Sequence, residues 1–290
     1  MNDERPAATL LENTIGIVGV GLIGGSIAAA LKKRGFGGQI IGIGRSAARL
    51  QEAQTAGLID GFTTDVTEAA PKCDLIIFCT PVDRIVDGVM NAAAKCSPGT
   101  LITDAGSVKG SICRPLDEKL PDGVTFIGSH PLAGSEKNGF EHADADLYVG
   151  RTCVTTWDIA TPQEQVERLT LFWESLGLDV VVMTARDHDA ALAETSHLPH
   201  VVAAALVAAL SAANRNLAAT GFADTTRIAA GDPNLWTAIL LANAEAVSAS
   251  LTEYTQQLDE FRTAITNRDA DVLKTLLQVA KRNRNDLADK

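Results

Sequence analysis

Residues 14–34 read TIGIVGVGLIGGSIAAALKKR. An apolar, β-branched run opens the stretch and reads as a buried strand, while the Ala- and Leu-rich run that closes it reads as a helix. Between them stands Gly19-x-Gly21-x-x-Gly24. At a strand-to-helix junction each glycine has a task. Gly19 permits the tight turn, Gly21 lets the main chain approach a pyrophosphate, Gly24 lets helix and strand pack closely, and the helix N-terminus faces the phosphate charge. Leu22 and Ile23 complete the cradle. Alone the pattern is weak; with a strand before it and a second strand, QIIGIG, at the βαβ distance after it, it predicts a dinucleotide site. A tight turn with no ligand is the alternative.

The second strand bears on which dinucleotide. An NAD site usually carries Asp or Glu about 20 residues beyond the motif, to bind the ribose 2′-hydroxyl. Here Gly44 holds that place, followed by Arg45 and Ser46. With no carboxylate to repel a 2′-phosphate and a guanidinium and hydroxyl to hold one, NADP is expected. NAD remains possible, with Arg45 then a solvated loop residue.

Outward from this unit, the apolar runs DLIIFCT, TLITDAG, VTFIGS, RTCVTTW and DVVVM alternate with helical stretches up to Thr184. Strands apolar on both faces and separated by helices predict a doubly wound, mostly parallel α/β sheet of the Rossmann type. Beyond Thr184 the β-branched runs stop, and Asp232-Pro233 opens a helix as N-cap and first-turn proline. The expected organisation is a tail over 1–13, a dinucleotide-binding domain over 14–184 and an all-helical substrate and dimerisation domain over 185–290. The stretch from Val201 is apolar around its whole circumference and must be covered on every side, within its own domain or by a second copy. A homodimer through these helices is expected.

The chain of 290 residues carries a net charge of −11. No basic run exceeds Lys32-Lys33-Arg34, so a nucleic-acid partner is not expected. An acidic protein that binds an anion must use local devices, such as a helix N-terminus or one placed Arg. Five cysteines without a C-x-x-C pair read as free thiols of a reducing cytosol. The opening MNDERPAATLLEN lacks a basic region and an apolar run, and Val201–Ala213 is shorter than the roughly 18 residues of a membrane span. A cytoplasmic protein off the membrane is expected.

Ligands of an open α/β sheet lie outside the carboxyl ends of its strands. Cys79-Thr80-Pro81, Asp104-Ala105-Gly106-Ser107-Val108-Lys109 and His130 in GSHPLAGSEKNG all follow strands and should border that edge. The flanking Gly, Pro and Ser argue that His130 lies in a loop rather than as a satisfied core histidine.

GVGLIGGS, DAGSVK, GSHPLAG, HLPH, TTRIA and DPNLW, in this order over nearly the whole chain, resemble the prephenate and arogenate dehydrogenases of tyrosine biosynthesis. The resemblance implies oxidative decarboxylation of a cyclohexadienol. A hydride leaves the carbon bearing the ring hydroxyl for a nicotinamide, and the ring carboxylate leaves as carbon dioxide. His130 would accept the hydroxyl proton; Ser107 would orient that imidazole and touch the nicotinamide. Arg227 in TTRIA would hold a substrate carboxylate bidentately. His197 and His200 would line the pocket and reach the substrate side chain, Trp236 would form a wall or pack in the core, and Glu136 would lie near the mouth.

Glu194 shares a side with His197 and His200, but the three are thin grounds for a metal site, and none is expected. His142 and His188 match nothing in the family pattern and are expected at the surface. Asn138, a neutral amide, leaves the choice between prephenate and the amine-bearing arogenate open.

Two rivals share the architecture. β-Hydroxyacid dehydrogenases use a Lys in G-x-x-x-K, and ETSHLPHVVAAAL has no Lys; a non-catalytic dinucleotide sensor would not need His130, Ser107 and Arg227 together. The chain end at Lys290 leaves no expected room for a fused chorismate mutase or regulatory domain, so tyrosine, if it inhibits, is expected to compete in the active site.

Overall fold

The computed structural model describes residue 10 and residues 12–288, apart from 118, 135, 136 and 158. Eight strands form one sheet: β1 (Thr14–Val18), β2 (Gln39–Ile43), β3 (Gly61–Thr63), β4 (Leu75–Phe78), β5 (Leu101–Asp104), β6 (Thr125–Pro131), β7 (Arg151–Thr156) and β8 (Leu178–Val182). Their order is β3-β2-β1-β4-β5-β6-β7-β8. Every neighbouring pair is parallel except β6 with β7, where His130 stands opposite Val154. The connecting helices are α1 (Leu22–Lys33), α2 (Ala47–Thr55), α3 (Val66–Ala69), α4 (Val82–Ala93), α5 (Gly110–Leu116) and α6 (Gln163–Ser175). From Ala185 the described chain is helical: α7 (Ala185–Leu192), α8 (Leu198–Ala209), α9 (Thr220–Thr226), α10 (Pro233–Ala242), α11 (Ala244–Thr266) and α12 (Ala270–Ala288).

The central strands are buried on both faces because each face has its own core. Leu75 and Ile77 of β4 join Ile15, Ile17, Ile27, Leu31, Phe172 and Trp173 on one side. Ile76 and Phe78 point the other way, to Ile85, Val89, Ile102 and Ile112. This period of two, with both sets apolar, makes a covered parallel strand a near-continuous apolar run. All seven strands read from the sequence are present. The eighth, β3, is the short half-buried segment GFT at the sheet edge. His130 belongs to β6 rather than to a loop: its main chain pairs in register with β7, and Pro131 closes the strand.

By contacts the chain divides into two compact units, one up to Asn243 and one from Ala244. In the first, α7–α10 group with the sheet; the second is the pair α11 and α12, which pack on each other. The apolar α8 buries only His200 and Ala203 within the single chain, and Leu206 and Val207 stand open to solvent. The helical run Ala185–Ala209 is long and apolar enough to cross a membrane by length and composition. It is nonetheless tied to the sheet unit, because Asp189 accepts hydrogen bonds from the main-chain N–H groups of Lys109 (2.7 Å) and Gly110 (2.8 Å).

Candidate active site

The glycine turn has the shape a pyrophosphate needs. Gly19 adopts φ 94°, and a Cβ there would lie 2.8 Å from the Cys79 carbonyl oxygen. A Cβ on Gly24 would come within 2.3 Å of the Gly19 oxygen. These two contacts are the tight turn and the close helix–strand approach, and neither tolerates a side chain. Gly21 differs. It caps α1, and a Cβ on it would meet nothing within 4 Å, so the cap position at the helix N-terminus is open. Leu22 and Ile23 start α1, and Tyr148 donates to the Ile23 carbonyl (2.8 Å), fixing this first turn. At the end of β4, Thr80 Oγ1 is buried without a hydrogen-bond partner among the described residues. A buried orphan hydroxyl beside an open cradle is the expected signature of a polar ligand. Pro81 follows as the cap of α4.

At the end of β2, Gly44 leads into exposed Arg45, which makes no hydrogen bond or ion pair among the described residues. Ser46 caps α2, its Oγ accepting from Arg49 N (3.4 Å). Arg49, not singled out from the sequence, pairs with Glu141 (2.5 Å) and lies over the Phe140 ring at 4.6 Å.

The segment carrying His130 is held by a buried polar scaffold. Lys109 and Asp104 are both fully buried and form an ion pair across the DAGSVK turn. Lys109 Nζ also donates to the Ser129 carbonyl (2.7 Å), and Asp104 accepts from Ser129 N (3.1 Å) and Gly106 N (2.8 Å). Ser129 Oγ meets Thr103 Oγ1 (2.7 Å) and accepts from Trp173 Nε1 (3.0 Å). Every polar group of Ser129 is therefore satisfied, which locks the backbone before His130.

His130 is half-buried, and its Nδ1 meets His188 Nε2 at 2.9 Å. His188 was expected at the surface; it is fully buried, because its ring bridges His130 and the Asp189 carboxylate (2.8 Å from His188 Nδ1). Three hydrogen bonds, from His188, Lys109 N and Gly110 N, hold the Asp189 carboxyl below the usual range although burial alone would raise it. Burial, then the neighbouring His188, Lys109 and His197, push the His130 imidazole well below an ordinary histidine, so it is neutral at pH 7. Ser107 is half-buried in the turn after β5, and its hydroxyl makes no hydrogen bond among the described residues. The hydrogen bond to the imidazole comes from His188. His142 is exposed, as expected.

On the helical side, Asn243 Nδ2 donates to the Asp189 carbonyl (2.8 Å) and meets His197 Nδ1 (3.0 Å). The amide nitrogen must face that carbonyl, so its other hydrogen points to His197 Nδ1 and leaves the His197 proton on Nε2. That Nε2 is buried and unpartnered among the described residues, as is His200 Nδ1. His200 stacks on Trp236 with centroids 3.5 Å apart, and Trp236 meets His197 edge-on. Gly231 makes room: a Cβ there would lie 2.5 Å from Trp236 Nε1. Glu194 is exposed while the two histidines are buried, and no metal-holding cluster exists among the described residues. Arg227 opens a short 3₁₀ turn packed on α8, is exposed, and makes no ion pair among the described residues. The structure thus joins His130, His188, Asp189 and His197 through hydrogen bonds and brings His200 and Trp236 beside His197, without linking Arg227 to them. Glu136 lies outside the described residues.

Burial pushes His197 down to about 4, with Asp189 opposing and His188 and His200 adding to the shift. Between pH 6.5 and about 4 the unfolded chain then holds a proton that folded His197 does not. The contribution of His197 to stability is therefore complete above pH 6.5 and declines as pH falls through this window. His197→Asn, which keeps an acceptor for Asn243, should show a shallower acid dependence of its urea midpoint than the parent; equal slopes would discard this account.

A neutral imidazole at the carboxyl end of β6, on the same sheet edge as the glycine turn that follows β1, suits hydride transfer coupled to proton transfer. Two family models match the chain: the prephenate dehydrogenase nucleotide-binding domain over residues 27–182 and the prephenate dehydrogenase dimerization domain over residues 184–279. The chain belongs to the prephenate dehydrogenase family. A cyclohexadienyl dehydrogenase of Zymomonas mobilis is 36% identical over 89% of this chain and 90% of its own length. A prephenate dehydrogenase of A. aeolicus, solved with hydroxyphenyl propionate and NAD+, superposes with TM-score 0.90 at 30% identity, covering 96% of this chain and 99% of that one. An arogenate dehydrogenase of Synechocystis gives TM-score 0.82 at 34% identity over 94% of this chain and 99% of its own. Within the prephenate dehydrogenase family, the buried His188–Asp189 pair is what the sequence reading missed; a His between two Asp, in a chain with five histidines, was the available signal.

Proposed function

We propose that this prephenate dehydrogenase family member converts prephenate to 4-hydroxyphenylpyruvate and carbon dioxide, with NADP as hydride acceptor and His130 as base. The observation that carries the reading is the His130 ring: Nδ1 is held by His188, while Nε2 makes no hydrogen bond among the described residues. A bound nicotinamide supplies the hydride acceptor. His130 takes the ring-hydroxyl proton at Nε2 as the hydride leaves. It returns the proton to the ring oxygen when the carboxylate departs and its bonding pair makes the ring aromatic. His197 Nε2–H, unpartnered among the described residues, is the donor for a substrate carboxylate or carbonyl, with His200, stacked on Trp236, beside it. Arg227 is assigned to a carboxylate, and Ser107 to the nicotinamide edge.

The cofactor choice rests on Gly44 in place of a carboxylate and on exposed Arg45, whose guanidinium makes no ion pair among the described residues. The open apolar face of α8 supports a homodimer in which a second copy covers it, and free cysteines support a cytoplasmic location. The test is an assay pairing prephenate or arogenate with NAD or NADP, followed by nicotinamide absorbance. Prephenate with NADP should give the highest kcat/KM. Arg45→Ala should raise the KM for NADP about tenfold, as for loss of an exposed charge-assisted hydrogen bond, and leave NAD unchanged. Preference for NAD together with an indifferent Arg45→Ala would reverse the cofactor assignment, and preference for arogenate would reverse the substrate.

A further inference from the structure

We propose that His188 and Asp189 extend His130 into a relay that moves the positive charge gained with the substrate's hydroxyl proton one residue further from the reacting ring, onto His188. The proposal rests on His130 being the base.

The hydrogen bonds fix which nitrogen carries which proton. Asp189 is a carboxylate that accepts from two main-chain N–H groups and from His188, so His188 Nδ1 carries a proton. His188 Nε2, in the neutral ring, is then an acceptor, and His130 Nδ1 must donate to it. His130 Nε2 is left with a lone pair, the only tautomer able to accept a proton from substrate. When Nε2 takes the hydroxyl proton, the Nδ1 proton can pass along the 2.9 Å contact to His188 Nε2. His130 becomes neutral again, and the positive charge rests on His188 against the Asp189 carboxylate. The step is reversible and needs no outside proton: hydride loss sends the proton inward, and aromatisation draws it back to the ring oxygen.

The surroundings favour this displacement. His130 lies near buried Lys109, whose ammonium is directed to Asp104 and the Ser129 carbonyl, and near His197. No carboxylate contacts the His130 ring among the described residues, so charge lingering there is disfavoured. His188 has its carboxylate in direct contact. Asp189 is itself fixed by the N-terminus of α5 and by Asn243 through its own carbonyl, so the receiving end is rigid.

His188 is thus a positioning residue with a second task, and the test separates the two. In His188→Gln the amide oxygen stands near the place of Nε2 and can accept from His130 Nδ1, but it cannot take up a proton. His188→Ala removes both. Each variant should lower kcat roughly 10- to 100-fold, toward the lower part of what a lost general-base contribution costs, with KM values within about threefold of the parent. Added imidazole should restore His188→Ala in proportion to its neutral fraction. Melting curves and NADP affinity, read by fluorescence, report folding independently. If His188→Gln matches the parent in kcat, or imidazole fails to restore a folded His188→Ala, the relay is overturned and His188 only aims the ring. A wild-type rate for His130→Asn would instead remove the base assignment on which the relay stands.

Discussion

His130→Asn should lower kcat by roughly 10²–10⁴-fold, the usual contribution of a positioned general base, with little change in cofactor affinity. The substitution is selective. An Asn amide nitrogen stands close to where Nδ1 stood and can still donate to His188 Nε2, so the buried pair with Asp189 keeps its partner. What disappears is the Nε2 lone pair. The parent's own pH profile is the companion measurement: with His130 held well below the ordinary histidine range by burial, the acid limb of kcat/KM should lie below pH 6.5. Loss of that limb in the variant, together with the fall in kcat, identifies the titrating group. A variant with undiminished turnover removes His130 from the reaction.

What the sequence made legible is what periodicity and spacing encode. The β1–α1 junction was readable because Gly19 and Gly24 answer to backbone contacts that leave no room for a Cβ, and Gly21 to open space. The central strands were readable because both their faces are covered. β3 was not, since three half-buried residues at a sheet edge carry no pattern. The placement of His130 in a loop failed because Gly128, Ser129 and Pro131 look like turn formers, whereas the bonds of Ser129 to Asp104 and Lys109 hold them extended. His188 was misread for a related reason. In ARDHDAAL the polar residues suggest a solvated face, and only the tertiary fold turns His188 and Asp189 inward to satisfy each other. Hydrophobic patterning locates cores of apolar atoms; a buried polar network has the composition of a surface until its partners, distant in sequence, are known.

The same blindness hid Lys109, and it carries the largest expected effect on stability. Lys109→Met should destabilise the fold by about 3–5 kcal/mol, the cost of stripping one partner from a buried ion pair. The Met side chain fills comparable volume, so the loss is electrostatic rather than a cavity. Asp104 would keep the main-chain donors of Gly106 and Ser129 but lose its pairing with the Lys109 ammonium, and the Ser129 carbonyl would lose the Nζ that holds it. For a chain of this size that amounts to a fall in melting temperature of roughly 6–20 °C. Asp104→Asn in the same background should cost less than the sum of the single changes, because the two side chains share one interaction. The damage should also reach the chemistry, since Ser129 directly precedes His130: kcat at a temperature where the variant is folded should fall while nicotinamide-cofactor affinity holds. A melting shift within the range of an ordinary surface substitution, about 0.5 kcal/mol, would mean that the pair contributes nothing to holding β6.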